Sequence, residues 1–213
     1  MIRSRPLFIL ASVCMILAQL FGDVFAGEKA SGLNFSCRSD NDLYQALVDG
    51  GALYPRFDTP MAAVEAAEVG SGVLILADEY PAKPTAVETA LFDAAAKKKL
   101  RLYVEYPSSL PDIPIGESKE DRLLRGVVLS NIFGESLPPM RIVGVNGCRY
   151  MPMKAENPHL VLARVAGVGT AVFGLADTQA EPLLFDHPRG DVLVSTSKLS
   201  NLVTAALCPT TLG

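Results

Sequence analysis

Two short apolar runs separated by one helical repeat constrain this chain more than any other feature. Val73-Leu74-Ile75-Leu76-Ala77, bounded by Gly72 and Asp78, is the first, and Leu100 to Tyr106 is the second. Runs this short, ending in polar or proline residues, read as strands of a parallel sheet buried on both faces. A proline-bearing loop, Glu79 to Pro84, leads into a segment where Val87, Ala90, Leu91, Ala94 and Ala95 recur at i, i+3, i+4, i+7, i+8. That spacing predicts one apolar helix face. Thr85 and Glu88 have the T-x-x-E spacing of a capping box, which places the predicted helix start there. Lys97, Lys98 and Lys99 fall where the negative end of the helix dipole would lie. Strand, helix and strand within about 35 residues make a βαβ crossover.

The same rhythm extends on both sides. Ser39 and Asp42 suggest a second capped start, with Leu43, Ala46 and Leu47 on one face and Gly50-Gly51 as the stop. Ala52 to Asp58 reads as extended. Thr59-Pro60 opens a further helix, with proline where its missing N–H costs nothing, and Ala63, Val64 and Ala67 face inward before Gly70. Beyond the proline-rich stretch 107–114, Lys119 to Arg125 reads as a short charged helix. Short strands are expected at Val127–Ser130, Arg141–Val145, Leu160–Val165, Thr170–Phe173, Pro182–Phe185 and Asp191–Ser195. A closing helix capped by Ser197 would bury Leu199, Leu202, Val203, Ala206 and Leu207. The expected fold is α/β, an open three-layer sandwich with a mainly parallel sheet and added antiparallel strands in the second half.

Residues 1–26 do not belong to that fold. Arg3 and Arg5 precede an apolar run from Leu7 to Leu20, and Val24-Phe25-Ala26 supplies small residues around a cleavage point before Gly27. This is the pattern of a secretory signal peptide. The run is shorter than the ~20 residues of a membrane span and is interrupted at Gly22-Asp23. The expected organisation is signal 1–26, flexible mature N-terminus 27–36 and one domain over 37–213, in a secreted or periplasmic protein with no stable span after cleavage. Cleavage removes two of 19 basic and one of 23 acidic residues, leaving 17 against 22 and a net charge of −5. That balance excludes a general nucleic-acid or anionic-membrane binder. Cys37, Cys148 and Cys208 remain, an odd number that permits at most one internal bridge of unspecified pairing. Their wide spacing is not that of a compact zinc motif, and Gly167-x-Gly169 lacks the strand-to-helix context of a phosphate loop. No metal or cofactor is expected. Asn34-Phe35-Ser36 has the spacing of a glycosylation sequon.

Several segments together resemble the class I glutamine amidotransferase-like superfamily, of flavodoxin-like α/β architecture. They are Ser39-Asp40-Asn41-Asp42-Leu43-Tyr44, Gly72 to Pro81, Leu102-Tyr103-Val104-Glu105-Tyr106-Pro107 and Val192 to Asn201. The likeness is to degenerate modules attached to secreted beta-galactosidase-like or six-hairpin-glycosidase-like proteins. It implies a packing or interaction role in carbohydrate-processing machinery, with a glycosidase-type catalytic domain or a carbohydrate as partner. It also implies a cysteine on a glycine-flanked turn after the strand Leu100–Tyr106 and a histidine in a His-Pro-Glu run. The chain departs at both places. Pro107-Ser108-Ser109-Leu110 holds no cysteine, and His187-Pro188-Arg189 puts a cation where a carboxylate would orient the imidazole.

Ligands of open α/β sheets bind beyond the carboxyl ends of the strands. That rule selects Asp78, Glu79 and Tyr80 after one strand and Glu105, Tyr106, Ser108 and Ser109 at the end of its neighbour as a candidate binding surface. Two different chemistries could use it. Asp78 and Glu105 have the residue types of a glycosidase acid and base. Ser108 with Asp186 and His187 has those of an esterase triad, although neighbouring strand residues point to opposite faces and Ser108 lacks a G-x-S-x-G elbow. His159 reads as a strand-edge residue. The export signal gives the first test: the secreted protein should have an intact mass beginning at Gly27, and full-length chain in the membrane fraction would contradict it.

Overall fold

A computed structural model of the chain describes residues 32–120, 124–145, 148–167, 169–171 and 180–204. The signal-peptide region and Cys208 lie outside these residues. The elements in order are β1 (Leu33–Ser36), α1 (Asp42–Asp49), β2 (Arg56–Phe57), α2 (Pro60–Ala66), β3 (Gly72–Ile75), α3 (Thr89–Lys97) and β4 (Arg101–Glu105). Then follow β5 (Lys119–Glu120), β6 (Arg125–Val128), a 3-10 segment (Asn131–Ser136), β7 (Ile142–Val145), β8 (Arg149–Tyr150), β9 (Leu160–Ala163), β10 (Glu181–Asp186) and β11 (Val192–Ser195). A 3-10 turn (Leu199–Asn201) and β12 (Leu202–Thr204) close the described chain. Strands β5 and β8 form a separate antiparallel pair.

The other ten strands make one sheet in the order β12-β7-β6-β9-β10-β11-β4-β3-β1-β2. From β2 to β11 every pairing is parallel, and from β11 to β12 every pairing is antiparallel. The expected α/β class and the antiparallel strands of the second half are therefore present. The reading of residues 27–36 as a loose terminus is corrected: Leu33–Ser36 is β1, paired in register with β3 from Leu33↔Gly72 to Ser36↔Ile75. Its single β-favouring run is too short to stand out by periodicity, and tertiary pairing makes the strand. Asn34 is 9% exposed and donates its amide to Ala63 O, so the sequon lies within the sheet packing.

Alternation along β3 shows why its run is continuously apolar. Leu74 and Leu76 pack with Phe35, Leu43 and Tyr103, while Val73, Ile75 and Ala77 pack with Ala63, Val64, Leu91 and Phe92 of α2 and α3. Both faces are covered, as a parallel strand requires. Burying Leu91 and Phe92 each contributes roughly 1.5–3 kcal/mol. The inward face of α3 is Leu91, Phe92 and Ala95, with Ala90 exposed.

Four helix signals resolve differently from expectation. Thr85 and Glu88 form no capping box: α3 begins at Thr89, and Glu88 at its N-cap makes no side-chain cap bond. Thr85 is instead extended beside the exit of β4, its N–H donating to Tyr106 O (2.7 Å) and its C=O accepting from Ser108 N–H (2.9 Å). A bridge to a strand exit outweighs a cap worth about 1 kcal/mol. At α1 the cap is Asn41 rather than Ser39, its side chain accepting from Leu43 N–H and Tyr44 N–H. The Thr59-Pro60 start and the Gly50-Gly51 stop of the neighbouring helices are as read, with Gly51 at φ 84°. The closing helix is replaced by the 3-10 turn and β12, which pairs with β7. The edge of β7 offers a ladder that short local propensity does not match. Residues 206 and 207 of that expected helix lie outside the described residues. The expected charged helix after Lys119 begins instead as β5, and residues 172 and 173 of the Thr170–Phe173 candidate lie outside the described residues.

Lys98 illustrates how a dipole expectation is met across a contact. Its Nζ donates to Val64 O, Glu65 O and Ala67 O, so it closes the carboxyl end of α2 rather than of its own helix.

The N-cap assignment is testable by chemical denaturation. Asn41→Ala should lower stability by about 0.5–2 kcal/mol, the usual loss of a cap. Ser39→Ala, at an exposed position, should stay within about 0.5 kcal/mol of the parent. Equal midpoints for all three proteins would show that Asn41 does not cap.

Candidate functional site

The parallel strands run in the order β2-β1-β3-β4-β11. The chain therefore departs in opposite directions after β1 and after β3, which opens a crevice beyond their carboxyl ends. A cleft of about 180 Å³ occupies that place, lined by Ser36, Asp58, Pro60, Asp78, Glu79, Lys83 and Thr85. Asp78 lines it but is committed to the loop after β1. One carboxylate oxygen accepts from Arg38 N–H (2.7 Å) and the other from the Asn41 side-chain amide (2.9 Å). Asn41 thus caps α1 with its oxygen and holds Asp78 with its nitrogen. Glu79 and Lys83 face each other at 3.8 Å with more than half of each side chain exposed, so they are rim charges that contribute little stability.

Of the other expected residues of this surface, the tyrosines and Glu105 are engaged within the protein, whereas the two serines are exposed. Tyr80 O–H donates to Arg149 O (3.0 Å), and its ring meets that of Tyr106 edge-on with centroids 5.0 Å apart. Tyr106 is 1% exposed and its hydroxyl is hydrogen-bonded with Ser118 Oγ (2.6 Å). Neither tyrosine presents a face for sugar stacking. Tyr106 does adopt φ 48°, so the turn after β4 has the left-handed backbone of a nucleophile elbow while carrying a side chain that cannot serve as one. Ser108 is exposed. Ser109 is exposed as a residue, yet its Oγ donates to Val87 O (2.7 Å).

Glu105 is 3% exposed and accepts three hydrogen bonds, from Ala77 N–H (3.2 Å), Tyr103 O–H (2.9 Å) and Leu199 N–H (3.3 Å). Burial pushes its pKa above the usual 4.5, against the opposing effect of those bonds and of the Lys198 charge. A carboxylate enclosed in this way cannot reach a glycosidic bond in the cleft, so the Asp78/Glu105 acid–base pair is not assembled. Cys37, at the end of β1, is a buried free thiol pushed up to about 12 by burial and by the Asp78 charge. Cys148 is likewise free, buried and raised, by burial first. Neither thiol is poised as a thiolate, and these two do not bridge each other.

The Ser108–Asp186–His187 arrangement is also not assembled. His187 is 2% exposed, its Nε2 donating to Pro111 O (2.8 Å) and its Nδ1 accepting from Arg189 N–H (3.2 Å). Both ring nitrogens are engaged. Arg189 pairs with Asp93 at 2.9 Å. Asp186 instead meets His159, whose Nε2 lies 2.9 Å from Asp186 Oδ2 and whose Nδ1 lies 2.8 Å from Ser130 Oγ. Sequence reasoning missed this cluster because it joins three strands distant in the chain. Only the register Val128↔Leu160↔Leu184 brings β6, β9 and β10 into line. A second cleft, of about 260 Å³ and lined partly by Ile132, Asp186 and Asp191, adjoins it.

Among the described residues no group of three or more His, Cys, Asp or Glu could hold a metal ion, and no helix is long and apolar enough to cross a membrane. Comparisons of the chain with models of protein families, with curated proteins and with solved structures find no match.

The buried carboxyl group makes a pH prediction. Because the folded state holds a proton that the unfolded chain has released, Glu105 stabilises fully below the usual 4.5 and its contribution is lost as pH rises through its elevated pKa. Urea unfolding of the parent and of Glu105→Gln should therefore show the parent's relative stability falling from pH 4 upward. A parent advantage that grows over this range would contradict the shift.

Proposed function

We propose that the chain is a secreted or periplasmic amidotransferase-like module, of flavodoxin-like layering, that acts by packing or interaction in carbohydrate-processing machinery. The observation that carries this reading is the engagement of Asp78 and Glu105 at the carboxyl edge of the parallel strands, with His187 enclosed at their amino edge. Asp78 holds the β1 loop, Glu105 is enclosed by three donors, and both nitrogens of His187 are occupied. The strand order β2-β1-β3-β4-β11 matches the 2-1-3-4-5 pattern of the flavodoxin-like class, which supports the scaffold assignment. The turn after β4 has the elbow backbone at Tyr106 with no cysteine, serine or glycine at that position.

The cleft at the switch point then serves recognition. Asp58, Glu79 and Lys83 have exposed side chains at its rim (85%, 57% and 65%). Exposed charges of both signs suit hydrogen bonding to a hydroxyl-rich ligand or to a polar patch on a glycosidase-type catalytic domain. With Tyr80 and Tyr106 turned inward, such binding depends on hydrogen bonds and lacks a stacking platform.

Two measurements test the reading together. The mature chain should release no ammonia from glutamine above the buffer blank. Titration with galacto-oligosaccharides or a glycosidase catalytic domain should perturb backbone resonances of residues 38–41, 58–60 and 78–85, and Glu79→Lys should weaken that binding several-fold. Glutamine turnover abolished by Glu105→Gln would defeat the non-catalytic reading. Absence of perturbation by every ligand in the series would defeat the interaction role.

A further inference from the structure

At the opposite end of the sheet, where β6 and β10 finish and β9 begins, a serine, a histidine and an aspartate are joined in one hydrogen-bonded chain. Ser130 Oγ is 2.8 Å from His159 Nδ1, and His159 Nε2 is 2.9 Å from Asp186 Oδ2. With the ring proton on Nε2, the imidazole donates to Asp186 and leaves Nδ1 to accept the serine proton. That is the division of labour of a Ser-His-Asp triad, recognised by geometry and roles rather than by sequence order. The ring is turned the other way round from the serine-protease arrangement, with Nδ1 facing the hydroxyl; either nitrogen can act as the base. The His159 side chain is 16% exposed, enough shelter to fix the ring and enough access for a proton to move.

The adjoining cleft of about 260 Å³ includes Ile132 and Asp186 in its lining, together with Arg101, Leu102, Asp191 and Leu193. Ile132 N–H also bonds Ser130 Oγ (3.3 Å), linking the serine to the cleft wall. Asp191 also lines this cleft, its Oδ1 enclosed without a hydrogen-bond partner among the described residues. The cleft meets the cluster at Asp186, and its small volume and two carboxylates suit a compact ester with a hydroxyl-rich alcohol portion.

We propose that Ser130, His159 and Asp186 form an acyl-transfer site for short-chain esters of polyhydroxy alcohols. Ser130 Oγ bonds to the ester carbonyl carbon as its proton passes to His159 Nδ1. The ester C–O bond then breaks, and the departing alkoxide takes that proton from Nδ1. Water attacks the acyl-serine, gives a proton to Nδ1, and the carboxylic acid leaves as Ser130 Oγ recovers the proton. Asp186 accepts from Nε2 throughout and stabilises the imidazolium. This site is distinct from the carboxyl-edge cleft, whose reading rests on glutamine turnover and ligand binding.

The test uses the mature chain with a fluorophosphonate probe and with 4-nitrophenyl acetate. Peptide mapping should place the phosphonyl adduct on Ser130, and Ser130→Ala should abolish both labelling and ester turnover. His159→Gln should lower turnover at least a hundredfold. Asp186→Asn should lower kcat about tenfold with KM unchanged, because the acceptor that holds the ring at Nε2 is lost. Ser108→Ala should leave the rate unchanged. A natively folded parent unlabelled at Ser130, labelling confined to another residue, or turnover undiminished in Ser130→Ala would overturn the proposal.

Discussion

The carboxylate of Glu105 ties together three successive parallel strands at the point where their loops begin. It receives an N–H from Ala77, just beyond β3, the hydroxyl of Tyr103 on β4 itself, and an N–H from Leu199 in the turn after β11. Each of these donors is buried and would lose about 1–3 kcal/mol without an acceptor. The arrangement is self-consistent only if all four groups are present, because a carboxyl group in this enclosure is itself costly unless hydrogen-bonded. Lys198 completes it, pairing with Asp42 at 2.8 Å while its charge favours the ionised form of Glu105. The start of α1, the ends of β3 and β4, and the turn after β11 are thereby referred to one buried group.

That dependence explains why the carboxyl edge looks chemically rich in sequence and is structurally occupied. Acids, tyrosines and a histidine at strand ends are the residue types of an active site. They are equally the types that satisfy loop N–H and C=O groups where parallel strands finish and their ladder bonds run out. Asp78 takes the N–H of Arg38 and the amide of Asn41, and Glu105 takes the N–H groups of Ala77 and Leu199. Residue type therefore marks where polar demand is high, and only geometry separates demand met internally from demand left for a ligand.

The parts of the fold legible in sequence are those where period and burial agree locally. β3, α3 and β4 were readable because a strand buried on both faces is continuously apolar and a helix against it has a 3.6-residue period. The T-x-x-E spacing misled because Thr85 is claimed by the exit of β4 before the helix begins, a long-range bond that no local window contains. Ala90 was assigned to the inner face for the same reason: shifting the helix start to Thr89 turns Phe92 inward in its place. β1 and β12 depend on partners 39 and 57 residues away at Leu33↔Gly72 and Leu202↔Val145. Such pairing is set by register and not by the residues of the strand alone.

Candidate chemistry obeys the same distinction. Asp186 and His187 are neighbours in sequence and are directed to different partners, as the alternation of a strand dictates. His159 and Ser130, separated by 29 residues, meet because β6 and β9 are antiparallel and in register from Arg125↔Ala163 to Val128↔Leu160. An antiparallel pairing returns the chain to its own end, so the residue just beyond one strand lies beside the residue just before the next. Adding β10, antiparallel to β9 through Leu184↔Leu160, brings a third loop to that end. Three short loops converge there without any motif in the linear sequence. The antiparallel extension thus supplies what the carboxyl edge of the parallel strands lacks: polar side chains from separate strands, partly exposed, hydrogen-bonded in sequence and beside a cleft.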